Sequence, residues 1–94
     1  MTIHYVSYNI RKKGTLLAKG YYEDYYIEVM SDCPYNRLPS VVIAIFKDNK
    51  EIHQETIKGS IDSGIKIAKQ RIDLLIQEQI KDEFQKKHYS ISSQ

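Results

Sequence analysis

The first half of the chain is written in a period of two. From Ile3 to Ile10, His4, Val6, Tyr8 and Ile10 fall on one side and Ile3, Tyr5, Ser7 and Asn9 on the other. The segment is rich in β-branched and aromatic residues, which predicts a strand. Arg11, Lys12, Lys13 and Gly14 form a polar stop, with a glycine able to take the positive φ of a hairpin bend. Thr15 to Lys19 is then the returning strand. Gly20 is expected to break or bulge it before Tyr21 to Met30, where Tyr25, Ile27 and Val29 alternate with Tyr26, Glu28 and Met30. Two prolines make Ser31 to Pro39 the clearest loop. Ser40 to Lys47 reads as a strand apolar on both faces, a pattern expected of a central strand covered on both sides. Asp48 and Asn49 suit a tight turn, after which Glu51 to Ile57 returns antiparallel.

The period then changes to that of a helix, expected from about Ser60 to about Lys86. Ser60 is placed as N-cap, Asp62 puts a negative charge in the first turn, and Ile61, Ile65, Ala68, Ile72, Leu75 and Ile76 share one narrow stripe. Gly64 implies either a start after it or a close contact made possible by its missing side chain. Ile80 and Phe84 step by four and drift off the stripe, and 88–94 reads as a polar tail. These elements predict one α+β domain, an antiparallel sheet of three to five strands followed by one long C-terminal amphipathic helix packed on one face.

Composition changes this picture little. Ninety-four residues suffice for one domain, and 41% apolar with 28% charged residues excludes the disordered class. The longest apolar run, Val41 to Phe46, is far short of the roughly 20 residues a membrane helix needs. The single cysteine, Cys33, cannot form an internal disulfide, which points to the cytoplasm. Fourteen basic against twelve acidic residues leave +2, too near balance for wholesale binding of nucleic acid or acidic membrane. The charges are nevertheless segregated. Arg11, Lys12, Lys13 and Lys19 precede Gly20 with no acid among them, whereas Tyr21 to Asp32 carries Glu23, Asp24, Glu28 and Asp32 with no base.

Three surfaces are candidates for function. Eight of the ten aromatic residues are tyrosine, and Tyr21, Tyr22, Tyr25 and Tyr26 flank Glu23 and Asp24. Alternation sends some of these rings to solvent, where Tyr22 and Tyr26 would anchor a partner. The acids between them repel a phosphate backbone and so favour a protein. The competing reading is that tyrosine packs its ring and leaves only its hydroxyl wet. On the helix, Ile67, Leu74, Ile80 and Phe84 lie off the main stripe and suit either a homodimer contact or burial under a twisted sheet. The basic tip of Arg11, Lys12 and Lys13, with Tyr5 and Tyr8 nearby, would suit a weak phosphate contact as readily as a solvated turn. Cys33, His4, His53 and His88 lack metal-ligand spacing or an activating neighbour, and no glycine-rich phosphate loop is present. No catalytic, cofactor or metal residue is therefore assigned.

The order of strands followed by a helix that opens with Ser60, Ile61 and Asp62 and continues through Ala68, Ile72 and Asp73 is similar in outline to HicB-type antitoxins and to double-stranded-RNA-binding domains. The likeness is one of order and periodicity. The proline-glycine-cysteine segment of the former is missing, and Lys66, Lys69 and Arg71 do not form the basic helix start of the latter, so no functional residue carries over. The leading expectation is a small non-enzymatic interaction or regulatory module, homodimeric in one form. The alternative is a weak nucleic-acid-binding module built on the N-terminal hairpin.

Overall fold

A computed structural model describes residues 2–7, 13–32 and 39–92, with side chains in the C-terminal helix described as far as Ile80. Five strands, β1 (Thr2–Tyr5), β2 (Leu16–Tyr22), β3 (Tyr25–Ser31), β4 (Ser40–Lys47) and β5 (Lys50–Lys58), precede one helix, α1 (Ile61–Ser92). Each strand pairs antiparallel with its chain neighbour, so the sheet order is the chain order. The fold is α+β as the periodicity predicts, with all five strands in one sheet.

Two hairpin turns share one geometry. Asp48 and Asn49 have φ of 53° and 64°, and Glu23 and Asp24 have φ of 50° and 68°. Left-handed backbone at both central positions is what a two-residue hairpin turn needs to match the twist of its strands. The first turn was expected. The second divides the predicted strand Tyr21 to Met30 into the end of β2, a turn, and β3. Glu23 hides it, because glutamate rarely adopts positive φ and strand-favouring tyrosine pairs stand on both sides of the turn.

The expected irregularity at Gly20 lies instead between Leu16 and Ala18. Leu17 is the extra residue; it is buried, and its carbonyl accepts from the amides of Val6 at 2.8 Å and Ser7 at 3.3 Å. Gly20 stays in register, opposite Ile3 on one side and Ile27 on the other. A second bulge, in the pairing of β4 with β5, leaves the exposed Ile52 as the extra residue. Of the expected loop, 33–38 lies outside the described residues. Its ends are tied by Asp32 N–H to Ser40 O at 3.0 Å and by the Ser40 hydroxyl to Asp32 O at 2.9 Å.

Helix α1 lies across one face. Its N-cap is Ser60, whose Oγ accepts from the Ser63 amide at 3.2 Å. Ile61, Ile65, Ala68 and Ile72 are buried against Leu17, Ala18, Tyr25, Ile27, Val29, Val41, Ile43, Ile45 and Ile57. Gly64 belongs to the helix, and an added Cβ there would stand 2.9 Å from a methyl of Val41 and 3.3 Å from one of Ile43. Its missing side chain therefore lets the first turns approach β4 closely. Ile67, Leu75 and Ile76 pack at the core margin, whereas 77–80 are exposed. At 1.5 Å per residue the helix is about 48 Å long, roughly twice the length of a seven-residue strand. Its second half therefore projects past the sheet, and the molecule is 62 Å long but only 24 Å by 19 Å across.

Polar pairs hold the helix at three strands. The Tyr5 hydroxyl donates to Asp62, the Tyr22 hydroxyl donates to Asp73 Oδ1 at 2.7 Å, and Arg71 grips Glu55 of β5 with two bonds of 2.9 Å. A forked guanidinium on both carboxylate oxygens is the strongest form of such a pair.

Candidate interaction surface

Register assigns the residues of the face that α1 does not touch. Tyr21 is opposite Tyr26, and Tyr26 is opposite Phe46, so these three rings form a row across β2, β3 and β4. The ring centroids are 5.1 Å apart for Tyr21 and Tyr26 and 5.7 Å apart for Tyr26 and Phe46, each pair tilted by 50°. These are favourable separations for aromatic pairs. The next row contains His4, Lys19, Glu28, Ala44 and Gln54, and a third contains Leu16, Met30, Val42 and Thr56. Tyr21 is 62% exposed, while Tyr26, Met30, Val42 and Phe46 are half-buried. Since α1 occupies the opposite face, no element among the described residues covers this one. Among the described residues the expected two-sided cover of β4 is thus met on the Val41, Ile43 and Ile45 side only. Ala44 is 1% exposed although no described element lies over it.

The Tyr26 hydroxyl donates to Glu28 Oε2 at 3.3 Å. Partial burial and the Glu28 charge together raise its pKa, so the ring presents a neutral hydroxyl at physiological pH.

The residues singled out in the sequence separate on the structure. Tyr22 lies on the helix side, where its bond to Asp73 raises its pKa and uses its hydroxyl in tethering α1. Tyr26 lies on the open face. Ile67 packs at the core margin, Leu74 and Ile80 are 50% and 62% exposed, and the Phe84 side chain lies outside the described residues. Tyr5 reaches the first turn of the helix through Asp62. Lys13 is 3.6 Å from Asp32, so the basic tip and the acidic stretch are joined at one point; Tyr8, Arg11 and Lys12 lie outside the described residues. Tyr21, Phe46, Met30 and Val42 were not singled out for the open face, because grouping them needs the register that the Glu23-Asp24 turn sets.

His53, Glu55 and Arg71 form a close polar cluster of three side chains. His53 Nε2 stands 2.9 Å from Glu55 Oε1, and the Arg71 fork, followed by the His53 contact, holds the Glu55 carboxyl at about 2, below its ordinary 4.5. Because the folded value is the lower one, the stability Glu55 contributes is present in full above about pH 4.5 and is lost as pH falls towards 2. Glu55→Gln is accordingly expected to be less stable than the parent at pH 6 but to lose less on acidification to pH 3. Urea midpoints at the two pH values measure this, and parallel acid losses in both proteins would rule it out. Both Glu55 oxygens are taken up in holding β5 to the helix, so the cluster is accounted for by structure. Among the described residues no group of three or more histidine, cysteine or acidic side chains is placed to hold a metal ion, and no helix is long and apolar enough to cross a membrane.

No protein-family model, curated protein or solved structure matches this chain.

Proposed function

We propose that the protein is a small non-enzymatic interaction module that binds a protein partner through the open face of its sheet. The observation that carries this reading is the row of Tyr21, Tyr26 and Phe46, continued by Met30 and Val42, on the face opposite the helix. A sheet face left to water ordinarily alternates to polar side chains. Here the outward positions of β3 and β4 are largely apolar or aromatic, with Lys19, Glu28, Gln54 and Thr56 set among and around them. Rigid aromatic anchors inside a polar surround are the make-up of a binding surface. The alternation of Lys19 with Glu28 disfavours phosphate, as does the pairing of Lys13 with Asp32, so a protein is preferred over nucleic acid as the occupant. Cys33, as the lone cysteine, favours a reducing compartment such as the cytoplasm for this activity.

Substitution of the exposed ring tests the reading with little risk to the fold. Tyr21→Glu and Tyr21→Glu/Phe46→Glu are expected to lose at least tenfold in affinity for a protein cross-linked to the parent in native extract, about 1.4 kcal/mol or more. Leu74→Ser/Ile80→Ser is expected to retain that affinity. If both sheet variants capture the same proteins as the parent with the same affinity, the face is not the contact surface.

A further inference from the structure

We infer that the occupant of the open sheet face is a second copy of this chain, packed face to face about a twofold axis that runs parallel to the strands between β2 and β3. This rests on the interaction reading of the face and narrows it to one partner.

Size is the first consideration. About that axis β2 overlaps β3 and β1 overlaps β4 of the other copy, so four strands about 4.8 Å apart, three of them about seven residues long and β1 only four residues, at about 3.3 Å per residue, present an overlapping face of roughly 400 Å². Two such faces, about 800 Å² in projection, reach the roughly 1,000 Å² that a specific interface should clear once the relief of interdigitated side chains is added, an interface at the small end of the range. Aligned packing of two twisted sheets is a common way of burying such faces.

Charge then selects the geometry. Lys19 on β2 and Glu28 on β3 stand directly opposite each other, at the same level of the sheet. They are the two charged residues nearest the middle of the face. In a twofold dimer each patch must complement itself. An axis along β3 sets Glu28 against its own copy, and an axis between β3 and β4 sets it against Ala44, so neither offers this carboxylate a cation from the other copy as it is desolvated. An axis between β2 and β3 exchanges those strands. Lys19 of each copy then faces Glu28 of the other, Tyr21 faces Tyr26, and Leu16 faces Met30. Of these three axes parallel to the strands, only this one pairs both charges; it sets two of the three aromatic rings, Tyr21 and Tyr26, against each other, while Phe46 faces Thr2 of the other copy.

Sedimentation equilibrium on the parent, Lys19→Glu, Glu28→Lys and a one-to-one mixture of the two variants tests the arrangement, with circular dichroism confirming that each is folded. The parent is expected to be a dimer. Each single variant should dissociate roughly tenfold more readily, because it sets four like charges together. The mixture should recover the dimer as a heterodimer carrying one copy of each variant. Recovery is the decisive readout. Each variant keeps its unfavourable cross-strand pair within the chain, so only contact between copies is repaired by mixing.

A parent that stays monomeric at every concentration it reaches, or a mixture no more dimeric than its components, overturns the proposal. If the parent is monomeric but its capture of another protein depends on Tyr21, the second-copy assignment fails and the interaction reading stands. A dimer that ignores Tyr21→Glu and both charge reversals but is broken by Leu74→Ser/Ile80→Ser places the contact on the helix and overturns both.

Discussion

Ile72→Ala is expected to lower the free energy of unfolding by about 2 to 5 kcal/mol, the range for removing a large aliphatic side chain from a packed core, while Leu74→Ala, two residues along the same helix, should change it by less than about 0.5 kcal/mol. Ile72 is fully buried in the core cluster that the helix forms with the sheet, whereas Leu74 is half exposed. At roughly 0.05 to 0.15 kcal/mol per residue the whole domain is stable by about 5 to 14 kcal/mol, so the first substitution removes a large share. With each kcal/mol worth roughly 4 to 8 °C in a domain of this size, Ile72→Ala should melt at least about 8 °C below the parent. Urea unfolding followed by circular dichroism measures both variants on one scale. Equal losses at the two positions would mean that Leu74 is buried as deeply as Ile72, and the exposed flank of the helix would vanish with it.

That contrast lies within a stretch the sequence makes legible. Ile61, Ile65, Ala68 and Ile72 recur at helical spacing because one side of the helix meets apolar surface and the other meets water, so the burying stripe is visible in the letters. β4 and the turn at Asp48-Asn49 are legible for a like reason, since their residue types match their backbone. Glu23 fails this test. Its positive φ is imposed by the pairing of Tyr21 with Tyr26 and of Tyr22 with Tyr25, a demand of tertiary structure that glutamate does not announce. The consequence spreads to the candidate surface. Once the turn is misplaced, Tyr22 and Tyr26 read as companions on one face, although the strands carry them to opposite faces. The tethers from Tyr5 to Asp62 and from Tyr22 to Asp73 join residues 57 and 51 apart in sequence, and neither residue type specifies such a partner. Self-complementarity of Lys19 and Glu28 is hidden likewise until register sets them side by side.

Gly20→Ala is expected to release β1 from the sheet. The substitution demands no left-handed backbone, so the objection is one of space. An added Cβ would stand 2.0 Å from the carbonyl oxygen of Thr2 and 2.8 Å from the Cα of Ile3. Both are backbone atoms, which cannot rotate aside as the methyls facing Gly64 can. Either β1 or β2 must move. β2 is held by β3 through six paired positions and carries the buried Leu17 and Ala18, whereas β1 is a four-residue edge strand with Thr2, His4 and Tyr5 exposed. Detaching β1 is therefore the cheaper response, and it caps the global loss at about 1 to 3 kcal/mol, the usual cost of overpacking. Hydrogen exchange locates the effect. The Val6 amide, which donates to Leu17 O at 2.8 Å, should exchange far faster than the loss of global stability accounts for, while the amides shared by β3 and β4 slow or quicken only in step with it. A Val6 amide whose protection falls no further than that of β3 and β4 would show that the sheet absorbs the methyl as a whole, and that β1 is a full member of the core and not an edge the molecule can release.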